Sequence, residues 1–378
     1  MSTIKIETLT PVHVGSGNML FYNTDFVQVK IKGEIYIAII SEEKVWNLLG
    51  EQHMDNWLEA ITNRENLKEF LKRFAPEAKS DDYAKRRMPA RFKINNNDTL
   101  KECIHNGMGL PYIPGSSIKG AIRTAVLASL ASDVQDREKK IDLRKTDDSP
   151  NNKNIKAIDI ERELFANNVS INFYPNADVF RFIHIGDAYF EKDTEIATRL
   201  INLNFRKNDD SLWDDSKPQI VEAIKKETAS ELKIKIAKEY YDFVNKKYPQ
   251  VGKMPVTTIG DLFRLVNEHT RKLTEDEINY WSDIKKTDGE DYVVEMQNIL
   301  EKINRCEAGK SCILRIGHAS GWRFITGAWT EEMTNFKDVV VPASRPNNRR
   351  YEEYDFPKSR RLDDKSYIFG FVKLTEID

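Results

Sequence analysis

The 378-residue sequence is short of cysteine, of net charge and of long apolar runs, and each shortage excludes a class of protein. Three cysteines, Cys103, Cys306 and Cys312, none in a C-x-x-C pair, are too few and too odd in number for a disulfide framework and read as reduced thiols. No stretch approaches the roughly 18–20 apolar residues that a membrane-spanning helix needs, and the opening MSTIKIETLTPVHVG holds no apolar run of signal-peptide length. The expected location is the cytoplasm. Basic residues number 58 and acidic ones 60, a formal charge of −2, so any binding of nucleic acid requires a local basic surface with acidic charge placed elsewhere. H-E-x-x-H, G-x-S-x-G and paired Cys/His spacings are all missing, so the sequence specifies no metal centre, no cofactor and no reaction.

What is present is ordinary core material: 40% hydrophobic residues, with 18 Phe, 14 Tyr and 6 Trp, exclude wholesale disorder. At roughly 100–200 residues per domain, the length favours two units. Ile4, Ile6 and Thr8 alternate as a strand that delivers the loop His13-Val-Gly15-Ser16-Gly17. Residues 26–31 and 34–40 flank Lys32-Gly33 as a hairpin, and Ser41 caps a helix that carries Val45, Leu48 and Leu49. Residues 51–83 read as further short helix. Residues 84–93 hold Lys85, Arg86, Arg87, Arg91 and Lys93 and no acid, which predicts an exposed basic loop.

The most informative stretch is 110–130. Pro111 and Pro114 keep the chain extended, Gly115-Ser116-Ser117 makes a capped turn, and Ile118, Ile122, Val126 and Leu130 recur every four residues. A strand, a tight turn and an amphipathic helix are expected, with a polar, mobile excursion over 133–160. Strands follow at 181–188, 220–224 and 231–236, and helices at 259–281 and 292–303. A strand at 312–316 then runs into a second glycine loop, Gly317-His318-Ala-Ser320-Gly321-Trp322, and a last strand covers 366–374. The order of strands and helices predicts an α+β protein of two ferredoxin-like (RRM-related) domains with insertions, 1–190 and 191–378, divided near 187–195.

Lys119 and Arg123, four apart above a helix start, form a face that suits phosphate, although Lys119 precedes Gly120 and no Walker loop results. The plainer reading is a solvated helix face. Residues 311–330 contain Arg315, His318 and Arg323 and no acid, with Trp322 and Trp329 as stacking surfaces or, more plainly, core tryptophans. Residues 345–361 add Arg345, Arg349, Arg350, Lys358, Arg360 and Arg361. With residues 85–93 these make four basic elements in a nearly neutral chain, the distribution expected of a groove that tracks a nucleic-acid backbone. His13, His184 and His318 sit in or after strand ends, where acid–base work on a ribose 2′-OH needs no metal.

Together, Leu9 to Gly17, Tyr112 to Thr124, the late glycine loop and Pro357-Lys-Ser-Arg-Arg-Leu362 resemble the RAMP superfamily of CRISPR-associated proteins. Within it they look like the type III-A (Csm) subunit that caps the complex at the crRNA 3′ end. The resemblance implies RRM-related domains that bind guide RNA by its backbone at the end of a filament, in a ribonucleoprotein of antiviral defence. Its partners would be crRNA, target RNA, other subunits of the type III-A complex and a trimming exonuclease whose crRNA maturation it assists. Residue by residue, Ser116, Ser117, Lys119 and Arg123 match the phosphate-contacting helix start, and Gly317 to Gly321 match the glycine-rich loop. Asp25 lies near the place of the family's target-cutting aspartate but in a different local pattern, so no catalytic residue is assigned. The candidate RNA contacts are those residues with His13, Gly15, Ser16, Gly17, Arg86, Arg87, Arg91, His318, Trp322, Arg323, Lys358, Arg360 and Arg361. The alternative is a metal-independent endoribonuclease that processes repeat RNA through His13 or His318.

Overall fold

The computed structural model describes residues 1–131, 158–167, 169, 174–204, 212–282, 289–344, 356–357, 359–363, 365 and 367–378. In β1 (Ser2–Thr8) the alternation expected from sequence holds, with Ile4 and Ile6 fully buried and Lys5 exposed. After β2 (Gly15–Phe21), the hairpin of β3 (Phe26–Ile31) and β4 (Glu34–Ile40) turns through Lys32 and Gly33, whose φ values of 51° and 87° are those of a two-residue turn matched to strand twist. Ser41 caps α1 (Glu42–Leu49) by accepting from the Lys44 N–H. With α2 (Met54–Thr62), α3 (Leu67–Phe74) and the single turn α4 (Ser80–Tyr83), it covers the hairpin through Val27, Val29, Val45, Trp57 and Phe70.

The next segment corrects an expectation. Residues 84–89 are not a loop but β5 (Ala84–Pro89), paired to β4 with Ile39 opposite Arg86 and Ala38 opposite Arg87. Ala84 and Met88 are buried, and the carboxylates that neutralise Arg86 lie outside the run, Glu102 16 residues on and Glu222 136 residues on, which is why the run reads as solvated when taken alone.

The chain continues through β6 (Thr99–Cys103) and β7 (Tyr112–Ile113) into α5 (Gly115–Ala131). Ile118, Ile122 and Val126 are fully buried, but Leu130 is only half-buried. A four-residue repeat drifts about 40° per step on a 3.6-residue helix, so its fourth member leaves the buried face and Leu127 and Ala131 take its place. Residues 133–157 of the expected excursion lie outside the described residues, and Ile158–Ala166 forms α6. Then come β8 (Ile183–Ile185), β9 (Ala188–Tyr189), β10 (Glu195–Asn204), β11 (Trp213–Ile224), β12 (Ala229–Ile236), α7 (Lys238–Lys247), α8 (Ile259–Ser282), α9 (Glu290–Asn304), β13 (Ser311–Arg315), β14 (Ser359–Asp363) and β15 (Phe371–Glu376).

Two five-stranded sheets dominate this mixed α/β architecture, in the orders β13-β15-β1-β12-β8 and β14-β10-β11-β6-β2. Along the chain, the first sheet's strands and the two helices packed on them come in the order β1, α5, β8, β12, α8, β13 and β15. Ile4 and Ile6 of β1, Ile118 and Ile122 of α5, and Leu262 and Phe263 of α8 close its core, each contributing about 1.5–3 kcal/mol by burial. Both sheets draw strands from either side of residue 190, so a cut at the expected boundary runs through both. The linear order of elements does not reveal this interleaving, because pairing is decided by contacts distant in sequence.

Candidate nucleic-acid interface

The two glycine loops meet. β1 and β13 are both antiparallel to β15, the strand between them, so their C-terminal ends emerge at the same edge of the sheet. The His318 N–H donates to the His13 carbonyl oxygen at 2.8 Å, and the Gly370 N–H donates to that of Pro11 at 2.9 Å. Gly317 has φ 76°, and a Cβ there would lie 2.4 Å from the His13 oxygen, so the close approach requires glycine. Ser320 Oγ donates to the Gly317 carbonyl at 2.7 Å and holds the loop shut, while Gly321 is again left-handed. On the other loop Ser16 Oγ donates to Glu102, and Gly15 and Gly17 begin β2.

His13 is buried, its Nδ1 donating to the Glu222 carbonyl at 2.6 Å, and burial lowers its pKa. Its ring stands edge-on to that of His318, centroids 5.6 Å apart. Burial, reinforced by the positive charge of Lys101 and Arg361, lowers the pKa of His318 to about 4. A neutral His318 accepts at Nε2 from Arg361 Nη1 at 2.8 Å, and the same guanidinium nitrogen donates to Gln219 Oε1 at 2.7 Å.

Behind the loops, Arg86 Nη2 bridges Glu222 at 2.7 Å and Glu102 at 3.0 Å, and the Cys103 N–H donates to Glu222 at 2.8 Å. Cys103, Glu195 and Glu222 offer ligand atoms within 4.8 Å of one another. Arg86 already engages Glu222, His105 engages Glu195 at 3.0 Å, and burial pushes the Cys103 thiol well up, so the donor set fits a protein network better than a cation.

Other candidates are placed less freely than the sequence suggests. Ser116 is exposed at the start of α5 beside half-buried Ser117 and Lys119, but the Gly115 N–H is held by Asp187 at 2.7 Å. Arg123 does share a face with Lys119. Arg123, however, is engaged within the protein: it pairs with Glu161 at 3.0 Å and Asp178 at 2.9 Å and lies over the rings of Phe165 and Phe180. Arg323 and Arg360 are buried and converge on the fully buried Glu277, at 2.6 and 2.5 Å. They belong to the interior, not to a basic surface loop. Arg360 and Arg361 are neighbours on β14, and strand alternation sends one inward and the other to His318. Trp322 packs on Phe336 and Phe356, and Trp329 is in the core. Arg87 pairs with Asp81 at 2.6 Å, and Arg91 is exposed. Lys358, with Arg345, Arg349 and Arg350, lies outside the described residues.

Sequence reasoning misses Lys101, Arg199 and Gln219. With Lys93, Met19, Asn95 and Asn97 they line a cleft of about 370 Å³ on the second sheet. Among the described residues no carboxylate pairs with Lys93, Lys101, Arg199 or Arg361. The readable signal is the alternation Leu100 in, Lys101 out, in a strand too short to stand out from the polar residues around it.

Residues 5–322 match the model of the RAMP superfamily, and the chain belongs to that superfamily. More particularly, it is 28% identical over 253 residues to a protein of Methanocaldococcus jannaschii named "CRISPR system Cms protein Csm5", covering 65% of this chain and 54% of that protein. The match thus spans about half the length of that relative. The fold is similar to a chain of the cryo-EM structure of a Csm-crRNA-target RNA ternary complex of a type III-A CRISPR-Cas system, with TM-score 0.71, 20% identity and coverage of 99% and 100% of the two chains. It is also similar to the crystal structure of T. onnurineus Csm5, with TM-score 0.65, 20% identity and coverage of 97% and 99%.

Proposed function

We propose that this chain is a non-catalytic RNA-binding subunit of a type III-A ribonucleoprotein effector complex. In this reading it caps the filament at the crRNA 3′ end and assists 3′ maturation that a separate exonuclease performs. The observation that carries the reading is the joined pair of glycine loops, bordered by Lys101 and Arg361, two cations without a carboxylate partner among the described residues. Exposed backbone and uncompensated positive charge together suit a phosphodiester backbone. The Csm5 relative and the likeness to a chain of a Csm-crRNA-target RNA ternary complex support the same partners: crRNA, target RNA and neighbouring subunits of the complex.

One observation favours the endoribonuclease reading, the 5.6 Å separation of the His13 and His318 rings. Against it, burial lowers the pKa of both rings, which disfavours the protonated partner that acid–base cleavage uses. Purified protein incubated with 5′-labelled repeat-spacer RNA in EDTA at two salt concentrations tests both readings. Bound, intact RNA with salt-sensitive affinity is expected. Discrete products that vanish in His13→Ala or His318→Ala would overturn the non-catalytic assignment.

A further inference from the structure

We propose that the cleft beside β6 and β11 holds one nucleotide unit of the bound strand, its phosphate met by Lys101 and Arg199 and its base seated against Met19 and the side-chain amides around it. This rests on the RNA-binding reading above and assigns that strand a specific seat.

The cleft follows from the sheet's geometry. β6 and β11 are parallel and keep register for two pairs only, Leu100 with Ile220 and Lys101 with Val221. N-terminal to those pairs the strands part, and about 370 Å³ opens between residues 93–99 and Pro218-Gln219, within the roughly 300–1,000 Å³ typical of small-ligand pockets. Three cations line it, Lys93, Lys101 and Arg199, against one carboxylate, Asp98. Asp98 is turned to its own loop, where Oδ2 accepts from the Asn95 N–H at 2.8 Å. The Lys101 pKa is lowered by burial and then by Arg361, the condition of an ammonium group lacking a counter-charge.

The remaining lining suits a base. Asn95, Asn97 and Gln219 offer amide donors and acceptors, and Met19 is 43% exposed, a polarisable apolar surface for a ring face. The cleft is continuous with the joined loops, because Gln219, which lines it, accepts from the Arg361 guanidinium that also donates to His318.

The test uses the full chain and single-stranded RNAs in which a single 2-aminopurine is moved along the strand. On binding, one position should brighten severalfold while its neighbours do not. Asn97→Trp, which fills the cleft from an exposed loop position, and Arg199→Ala should each remove that signal while overall affinity falls by no more than about tenfold. Binding without a position-specific signal, or a signal that persists in both variants, overturns the seat and leaves RNA binding standing. No RNA binding at all overturns both. Adenosine monophosphate that binds the cleft when the strand gives no position-specific signal would make it a free-nucleotide site and also overturn the proposal.

Discussion

The backbone N–H of His318 donates to the carbonyl oxygen of His13 at 2.8 Å, and this bond clasps two loops from opposite ends of the chain. It is possible only because residue 317 has no side chain.

Gly317→Ala should therefore separate the loops. The new Cβ would meet the His13 oxygen at 2.4 Å in a left-handed backbone, a combination expected to cost roughly 1–3 kcal/mol. Ala319, already left-handed at φ 68°, offers the converse: Ala319→Gly should be neutral to stabilising by up to about 1 kcal/mol. The urea midpoint should fall in Gly317→Ala and hold or rise in Ala319→Gly, and equal loss in both would refute the clasp.

Glu277 holds Arg323 and Arg360 in the interior, with Tyr292 Oη donating to it at 2.5 Å. Removing the carboxylate leaves the buried Arg360 guanidinium uncompensated and Arg323 with Glu331 alone, at 2.8 Å, so Glu277→Gln should cost about 3–5 kcal/mol. The arginines hold the Glu277 pKa down at about 2, below the ordinary 4.5, despite its burial. Its stabilisation is complete above about pH 4.5 and is lost as pH falls towards 2. Stability measured at pH 2.5, 4 and 7 should fall more steeply with acid in the wild type than in the variant.

Arg360 and Arg361 separate the roles of adjacent residues. Arg361→Ala and Lys101→Ala should weaken RNA binding for all sequences alike, each reducing the salt slope by about 0.7–0.9 for the one phosphate it neutralises. Arg360→Ala should instead lower stability and leave the salt slope of the folded fraction unchanged. A slope unmoved by Arg361→Ala would remove that residue from the interface.

Local signals are readable in the sequence and long-range ones are not. The hairpin at Lys32-Gly33, the Ser41 cap and helix α5 all rest on residues within a few positions of one another, and the sequence carries those rules complete. β10 escapes notice because its alternation breaks at the register shift between Leu200 and Asn202, and α7 because it buries no residue and so shows no apolar stripe. The candidate site is half legible. Glycine loops announce themselves, but whether an arginine faces solvent or a carboxylate depends on partners such as Glu222 for Arg86 and Glu277 for Arg360, far away along the chain.

Glu222 gives the last prediction, with the opposite sign to Glu277. It is fully buried behind the loops, and desolvation raises its pKa to about 7 although Arg86 lies at 2.7 Å, because Glu195 adds a second negative charge nearby. A carboxyl that binds its proton more tightly when folded stabilises the fold least in its ionised form. Its contribution should therefore decline as pH rises from about 4.5 to about 7 and stay low above that, a change on the order of 3 kcal/mol. His13 and His318, whose pKa values are lowered by burial, pull the other way, since their stabilisation is lost as pH falls below 6.5. The wild-type profile alone thus mixes opposing trends, but the difference between wild type and Glu222→Gln isolates the carboxylate. Urea midpoints at pH 5 and pH 8 should show the variant gaining on the wild type at the higher pH. A constant difference across that range would mean that Glu222 is ionised throughout, with Arg86 rather than burial setting its charge.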